Sequence, residues 1–315
     1  MPPSADTTTP QGDTLDLTNL PPANGSDLIS SIHRQSYEAI SPSRPGLSQS
    51  GHTILVAGAS TGIGFSIAES FAAAAADRVI ITGRRQDKLD SAAAKIKNKY
   101  PNVQVLPVVN DFGDEDDTRQ FWGKLARDGI LVDVLVLSAA RMWLPNTILG
   151  LGYETFKDGL AINVAAPYLW TSLFYKQREA NPSRKLVLLN LSTITIHATA
   201  TAIPIPLYST TKSAGTMMMQ HIALTVPSSE MQVISFEPGL HFTESFARFA
   251  DENSLEWDDI KLPGDFAVWA ASDEAEFLHG RFVWARWDID ELKTGLLRKK
   301  IESDPSIFRV GVYGY

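Results

Sequence analysis

The sequence predicts an α/β fold built on a doubly wound parallel sheet, and three observations carry that expectation. From His52 onward, short β-rich runs alternate with helical patterns, as a series of βαβ units requires. Runs such as Val134-Leu135-Val136-Leu137 are apolar on both faces, which suits a sheet covered by helices on each side. The first run also leads into a glycine-rich turn, Ala57-Gly58-Ala59-Ser60-Thr61-Gly62-Ile63-Gly64, that opens onto an alanine-rich helix. In chain order the expected strands are 53–57, 79–82, 103–109, 132–137, 185–191, 232–237 and 281–285. The intervening helices are expected at 63–75, 86–99, 115–128, 153–178 and 208–225.

Outside this alternation the chain changes character. Residues 1–26 are rich in Pro, Thr, Ser, Asp and Gly with little to bury and are expected to be mobile. The stretch 28–50 carries Ile29, Ile32, Tyr37 and Ile40, punctuated by Pro42 and Pro45, and reads as an arm lying against the main domain. After the last strand, 288–303 reads as an added charged helix and 307–315 as an extended tail. At 315 residues and 44% hydrophobic content the chain can bury one large core.

Composition narrows the function. The formal net charge is −8 and no basic cluster stands out, so no nucleic-acid partner is expected and a small-molecule substrate fits better. There is no cysteine, which removes disulfides and thiolate chemistry. The six histidines lie apart, without ligand-pair spacing, so no protein-built metal site is expected. The most apolar long stretch, 130–144, is broken by Asp133 and Arg141 and is too short to span a bilayer. Asp6, Asp13 and Asp16, with no arginine before Arg34, fit neither a secretory signal nor a transit peptide, and a soluble cytoplasmic protein is expected.

The glycine-rich turn sits at the first strand-to-helix junction. Gly58, Gly62 and Gly64 permit a tight turn and close backbone approach, and the amides of Ser60, Thr61 and Ile63 lie beside a helix N-terminus that favours an anion. A purely structural bend is the competing reading, which the placement disfavours. At the end of the second strand, where an acidic residue would bind an adenosine 2′-hydroxyl, stands Gly83, followed by Arg84 and Arg85. A guanidinium fork suits a 2′-phosphate, so NADP(H) is favoured over NAD(H); the alternative is a solvated arginine pair on a surface turn.

Tyr208-Ser209-Thr210-Thr211-Lys212 places Tyr and Lys on one helix face. A free phenol titrates near about pH 10, and each unit of lowering needs roughly 1.4 kcal/mol, which a nearby ammonium supplies in part. A second Tyr-x-x-x-Lys, Tyr153 to Lys157, precedes the fifth strand without a hydroxyl-bearing strand end upstream, and reads as ordinary helix surface. Tyr208 instead follows a strand ending in Ser192 and Thr193, at the edge where open α/β sheets bind ligands.

Taken together, Gly58/Gly62/Gly64, Asp111 after the third strand, Asn163 in a long helix, a hydroxyl after the fifth strand, Tyr208/Lys212 and Pro238-Gly239 followed by Thr243 resemble the short-chain dehydrogenase/reductase family over roughly 51–285. The arm at 37–42 and the Trp-rich ending, Arg281 to Asp288, resemble a fungal branch that often serves secondary metabolism. The resemblance implies a Rossmann-type single domain over 51–287, with 1–50 as mobile segment and arm and 288–315 as helix and tail. It implies that Tyr208 exchanges a proton with a carbonyl or alcohol oxygen and that Lys212 contacts the nicotinamide ribose and lowers the Tyr208 pKa. By the same resemblance Asn163 holds a water leading to Lys212, Asp111 and Phe112 flank the adenine, and Thr243 meets the nicotinamide carboxamide. It also implies a homo-oligomer, with the helices at 153–178 and 208–225 packing against a partner.

Three departures qualify the match. Where the family has serine, Thr193 stands by local pattern; Ser192 competes, although alternation turns it to the opposite side of the strand. The family's Asn-Asn-Ala-Gly is here Leu137-Ser138-Ala139-Ala140, which loses two amide side chains beside the cofactor and puts alanine where glycine takes φ > 0. His241 replaces an apolar residue and either touches substrate or caps its loop. Ile203-Pro204-Ile205-Pro206 suggests a stiff loop above the site. The stretch 242–262 is expected to form a flap, with Phe242, Phe246, Phe249 and Trp257 facing either a hydrophobic ligand or the core. The expected function is carbonyl–alcohol interconversion with NADP(H). Its rivals are a non-redox enzyme using the same acid/base pair and a silent NADP(H)-binding sensor or scaffold.

Overall fold

The computed structural model describes residues 28–143, 147–198, 205–248 and 251–312. Its centre is a seven-stranded, wholly parallel sheet. The strands are β1 (Thr53–Ala57), β2 (Arg78–Gly83), β3 (Gln104–Val109), β4 (Val134–Leu137), β5 (Leu186–Leu191), β6 (Met231–Glu237) and β7 (Arg281–Trp284). Their spatial order is β3-β2-β1-β4-β5-β6-β7. The direction of winding therefore reverses between β1 and β4, and a crevice opens there at the carboxyl ends of the strands.

The sheet is apolar on both faces because both are covered. Ile54 and Val56 of β1 join one core with Ile67 and Phe71 of α1 (Gly62–Ala73) and with Leu89 and Ile96 of α2 (Gln86–Lys99). Leu55 and Ala57 face the other core, where Trp170 packs among Phe112, Phe121, Trp122 and Phe174. That side is roofed by α3 (Glu115–Arg127), by a long broken helix and by α6 (Pro206–Thr225). The broken helix is the predicted 153–178 element, which consists of α4 (Tyr153–Leu160), a π-helical turn (Ala161–Ala165) and α5 (Ala166–Lys176).

One helix is unexpected. The segment α7 (Lys261–Ala270) begins inside the stretch 242–262 expected as a flap and carries Pro263 near its start, where a helix's first turn tolerates proline. Gly264 lets α7 lie on α1: an added Cβ would fall 2.5 Å from the Ser70 hydroxyl. The predicted terminal helix is two, α8 (Ile289–Lys293) and α9 (Gly295–Ser303), because Thr294 between them is extended and Gly295, opening α9, takes a positive φ.

The arm lies against the main body, with Ile29, Ile40 and Leu47 buried in the α1/α7 core. Ile32 forms an antiparallel bridge with Trp287, and Ser30 binds the Glu291 carboxylate from its amide and its hydroxyl. The segment 1–26, expected to be mobile, lies outside the described residues, as do Ile203, Pro204 and Phe249.

Candidate active site

At the crevice, Gly58 has φ +85° and an added Cβ would fall 2.8 Å from the Ala139 backbone. The segment leaving β4 therefore closes directly on the turn. A Cβ at Gly64 would lie 2.2 Å from the Gly58 carbonyl oxygen. The turn delivers the chain into α1, whose N-cap Thr61 makes no side-chain cap, leaving the first-turn amides to an outside acceptor. From above, the Thr243 methyl comes within 3.3 Å of the position a Gly62 side chain would occupy, so the segment after β6 faces the glycine turn across the crevice. Ala140 needs no left-handed backbone: Ala75 and Phe308 alone take positive φ among the described non-glycine residues.

At the end of β2 the Ser60 hydroxyl sits over Gly83. Arg84 is exposed and makes no ion pair among the described residues, whereas Arg85 binds Glu244 at 2.9 Å. Asp111 is exposed and accepts from the Gly113 amide at 3.2 Å. Phe112 turns its ring into the core against Trp170, and its carbonyl accepts from the Trp170 indole at 3.3 Å, so both its ring and its carbonyl are engaged in the core. Between them and β3, Asn110 is buried with both carboxamide atoms unpartnered. A glycine cradle, an uncapped helix start and an orphaned amide beside the adenine end together fit a dinucleotide. No sequence pattern flagged Asn110.

The catalytic candidates converge from three elements. Tyr208 and Lys212 lie one turn apart on α6, with Lys212 Nζ 5.9 Å from the Tyr208 ring centroid. Lys212 is buried and donates to the Leu191 carbonyl at the end of β5, at 2.5 Å. The π turn swings Asn163 inward. Its amide nitrogen donates to the Arg141 carbonyl at 2.9 Å and to the Thr211 hydroxyl at 3.0 Å, and its oxygen accepts from the Arg141 amide at 3.0 Å. Asn163 thus ties the chain leaving β4 to α6.

The two hydroxyls after β5 differ. Ser192 is buried and shares a 2.6 Å hydrogen bond with Thr216, on the α6 side of the strand. Thr193 is half-buried and caps the following 3-10 turn, accepting from the Thr195 amide at 3.4 Å. His241 is buried with Nδ1 3.1 Å from the Asp258 carbonyl and Nε2 2.8 Å from the Pro238 carbonyl, which makes it a brace within its loop. Of the flap aromatics, Trp257 packs on Phe242 at 5.4 Å and on Phe246 at 5.3 Å.

Burial dominates the electrostatics. It lowers Lys212 to about 8 and pushes the Tyr208 phenol up to about 12, with the Glu237 charge adding to the latter. The expected lowering of Tyr208 is therefore reversed among the protein's own groups, because desolvation and the Glu237 charge both act to raise it. Glu237 is itself raised to about 7 by burial, against the opposing pull of Arg286 and the Gly239 amide. Sequence reading passed over it, although an acidic residue directly before Pro238-Gly239, at a strand's carboxyl end, is a visible signal.

Among the described residues no helix is long and apolar enough to cross a membrane, and no group of three His, Asp or Glu side chains could hold a metal ion. The fold is shared with solved structures. The L-sorbose reductase from Gluconobacter frateurii complexed with NADPH and L-sorbose superposes with a TM-score of 0.68 at 22% identity, over 76% of this chain and 96% of that one. The NADPH-dependent reductase YwfH, involved in bacilysin biosynthesis, gives 0.68 at 19% identity, over 75% and 97%. In sequence, the short chain dehydrogenase/reductase nsrO of Aspergillus novofumigatus is 30% identical over 89% of this chain and 94% of its own length. The corresponding protein AacuD of Aspergillus aculeatus is 31% identical over 89% and 94%. A family model for short chain dehydrogenase matches residues 52–254, a span that contains the glycine turn, Asn163, Tyr208 and Lys212. The chain belongs to the short-chain dehydrogenase/reductase family of oxidoreductases.

Proposed function

We propose that the chain is an NADP(H)-dependent reductase that interconverts a carbonyl and an alcohol on a small hydrophobic substrate, in a fungal secondary-metabolic setting, with residues 51–287 as its catalytic domain. The observation that carries the reading is the convergence of Tyr208, Lys212 and Asn163 at the carboxyl edge of the sheet, beside the glycine cradle. When bound, NADPH supplies the hydride. Tyr208, whose phenol holds its proton at neutral pH, donates that proton to the substrate oxygen. Lys212, fixed by the Leu191 carbonyl, presents a positive charge beside the phenolate left behind. Asn163 positions α6 against the chain leaving β4, and Thr193 orients the substrate oxygen, since Ser192 is engaged with Thr216.

Arg84 supports the preference for NADP(H), being exposed with no ion-pair partner among the described residues, while Arg85 and Glu244 link the adenosine side to the flap. The aromatic trio Phe242, Phe246 and Trp257 supports a hydrophobic substrate. Exposed Leu160, Tyr168, Met217 and Leu224 on α4, α5 and α6 support a homo-oligomer packed through those helices.

Titration with NADPH and NADH, followed by a screen of aldehydes, cyclic ketones and quinones for cofactor oxidation, tests the proposal. Preferential NADPH binding with turnover that Tyr208→Phe abolishes is the expected result. A silent NADP(H)-binding protein is the second reading, favoured by the upward push on Tyr208. Tight binding without turnover on any carbonyl would select it.

A further inference from the structure

The turn leaving β6 is held from beneath by a residue that is distant from the family's motifs. The Asp258 side chain is fully buried. Its Oδ1 accepts from Arg34 Nε at 2.9 Å, and its Oδ2 accepts from Arg286 Nε at 2.6 Å and from the Leu240 amide at 2.8 Å. The Asp258 amide in turn donates to the Leu240 carbonyl at 2.8 Å. Gly239 lies directly on this carboxylate: its φ is +101° and an added Cβ would fall 2.7 Å from Asp258 Oδ2. His241 completes the brace between the Asp258 and Pro238 carbonyls. The course of residues 238–241 is therefore set by where Asp258 stands.

Two guanidiniums set that position, and one belongs to the arm. Besides its side-chain bond, the Arg34 carbonyl accepts from the Asp259 amide at 2.9 Å, and the His33 amide donates to the Arg286 carbonyl at 2.7 Å. The arm thus fixes both ends of the support. Its other tethers go elsewhere: Ser36 binds Asp265 on α7 at 2.5 Å, Ser30 binds Glu291 at 2.7 Å, and Arg44 binds Glu274 at 2.8 Å.

We propose that Arg34, acting through Asp258 jointly with Arg286, is a positioning residue for the turn 238–243, so that the N-terminal arm shapes the wall against which the nicotinamide end of the cofactor rests. The assignment of that wall rests on the function proposed above; the mechanical link from arm to turn does not. One carboxylate held on each oxygen by a different guanidinium, Arg34 Nε on Oδ1 and Arg286 on Oδ2, resists rotation better than a single pair, and the terminal nitrogens of Arg34 are themselves anchored on Glu256. Loss of Arg34 leaves the Asp258–Arg286 pair intact, so no lone buried charge is stranded.

Arg34→Met in the full chain tests this, with Ser36→Ala as the matched control that loosens the arm without touching the turn. Amide hydrogen exchange is read over 238–243 in the protein alone, and NADPH binding is read by tryptophan fluorescence. Arg34→Met is expected to speed exchange at Leu240 and its neighbours and to weaken NADPH about tenfold, while Ser36→Ala leaves both at wild-type values. Unchanged exchange in Arg34→Met, or an equal change in Ser36→Ala, would overturn the proposal. Should Arg34→Met not fold, Arg34→Lys, which keeps the charge and loses the fork, is held to the same two readouts. A wild-type protein that binds neither NADPH nor NADH would defeat the functional reading, and the exchange data would still decide the clamp.

Discussion

Tyr153 and Lys157 hold on α4 the same spacing that Tyr208 and Lys212 hold on α6, and in both the ammonium lies near the ring, at 5.0 Å and 5.9 Å from its centroid. There the likeness ends. Tyr153 is 74% exposed and Lys157 is bound to Glu154 at 2.7 Å. Lys212 is buried against the end of β5, and burial moves both members of its pair away from their ordinary pKa values. Helical spacing alone brings a cation to a phenol; the sheet edge is what buries the ammonium, with Tyr208 half-buried beside it. The chemistry therefore depends on the strand that precedes the helix at least as much as on the four-residue interval.

The largest expected difference between the two pairs is in turnover. Tyr208→Phe should lower carbonyl reduction by about a thousandfold or more, and Tyr153→Phe should leave it within about twofold; equal losses would remove α6 as the seat of the reaction. The second difference is in stability. Below about pH 8 the native state carries Lys212 as a buried ammonium. Between about 8 and the unfolded value of 10.5 the native state sheds that proton while the unfolded chain keeps it, so stability should rise with pH, by about 3 kcal/mol in all. Denaturant midpoints across that window should lose the rise in Lys212→Met and keep it in Lys157→Met.

Glu237 sharpens the contrast at acid pH. Its native pKa of about 7 exceeds the usual 4.5, so between those values the native state holds a proton the unfolded chain has released, and stability falls as pH rises. Glu237→Gln should flatten that fall and, by removing a negative charge near the phenol, lower the Tyr208 pKa seen in the pH profile of turnover. An unchanged profile would separate Glu237 from the reaction. The smallest effects concern the hydroxyls. Thr193→Ala should cost about tenfold in rate with little change in stability, and Ser192→Ala about 1 kcal/mol of stability with little change in rate; reversed results would exchange their roles.

What the sequence made legible follows from locality. All seven strands fall within two residues of their expected limits, because apolar runs bounded by turns are local signals. The glycine turn and the Tyr208/Lys212 pair were legible for the same reason, since each is a short motif judged by its neighbouring elements. The π turn that carries Asn163 left no such mark: Ala161 to Ala165 reads as plain helix, and the inserted residue is settled by the bond from Asn163 to Thr211. Helix α7 was hidden by Pro263-Gly264, whose meaning depends on Ser66 and Ser70 beneath it. Arg34, Asp258 and Arg286 share no local pattern at all, and only the folded chain brings them together.

The bridge between Ile32 and Trp287 also bears on synthesis. The arm is made before its partners, from Glu256 to Glu291, which follow it by 222 to 261 residues. At 5–20 residues per second the arm waits on the order of ten to fifty seconds for them. During that interval the strands from β1 to β6 can pair in sequence, while Ile29, Ile40 and Leu47 remain without the surface that covers them. Docking of the arm is then a late event of high contact order, and its apolar residues depend on protection until their partners are made.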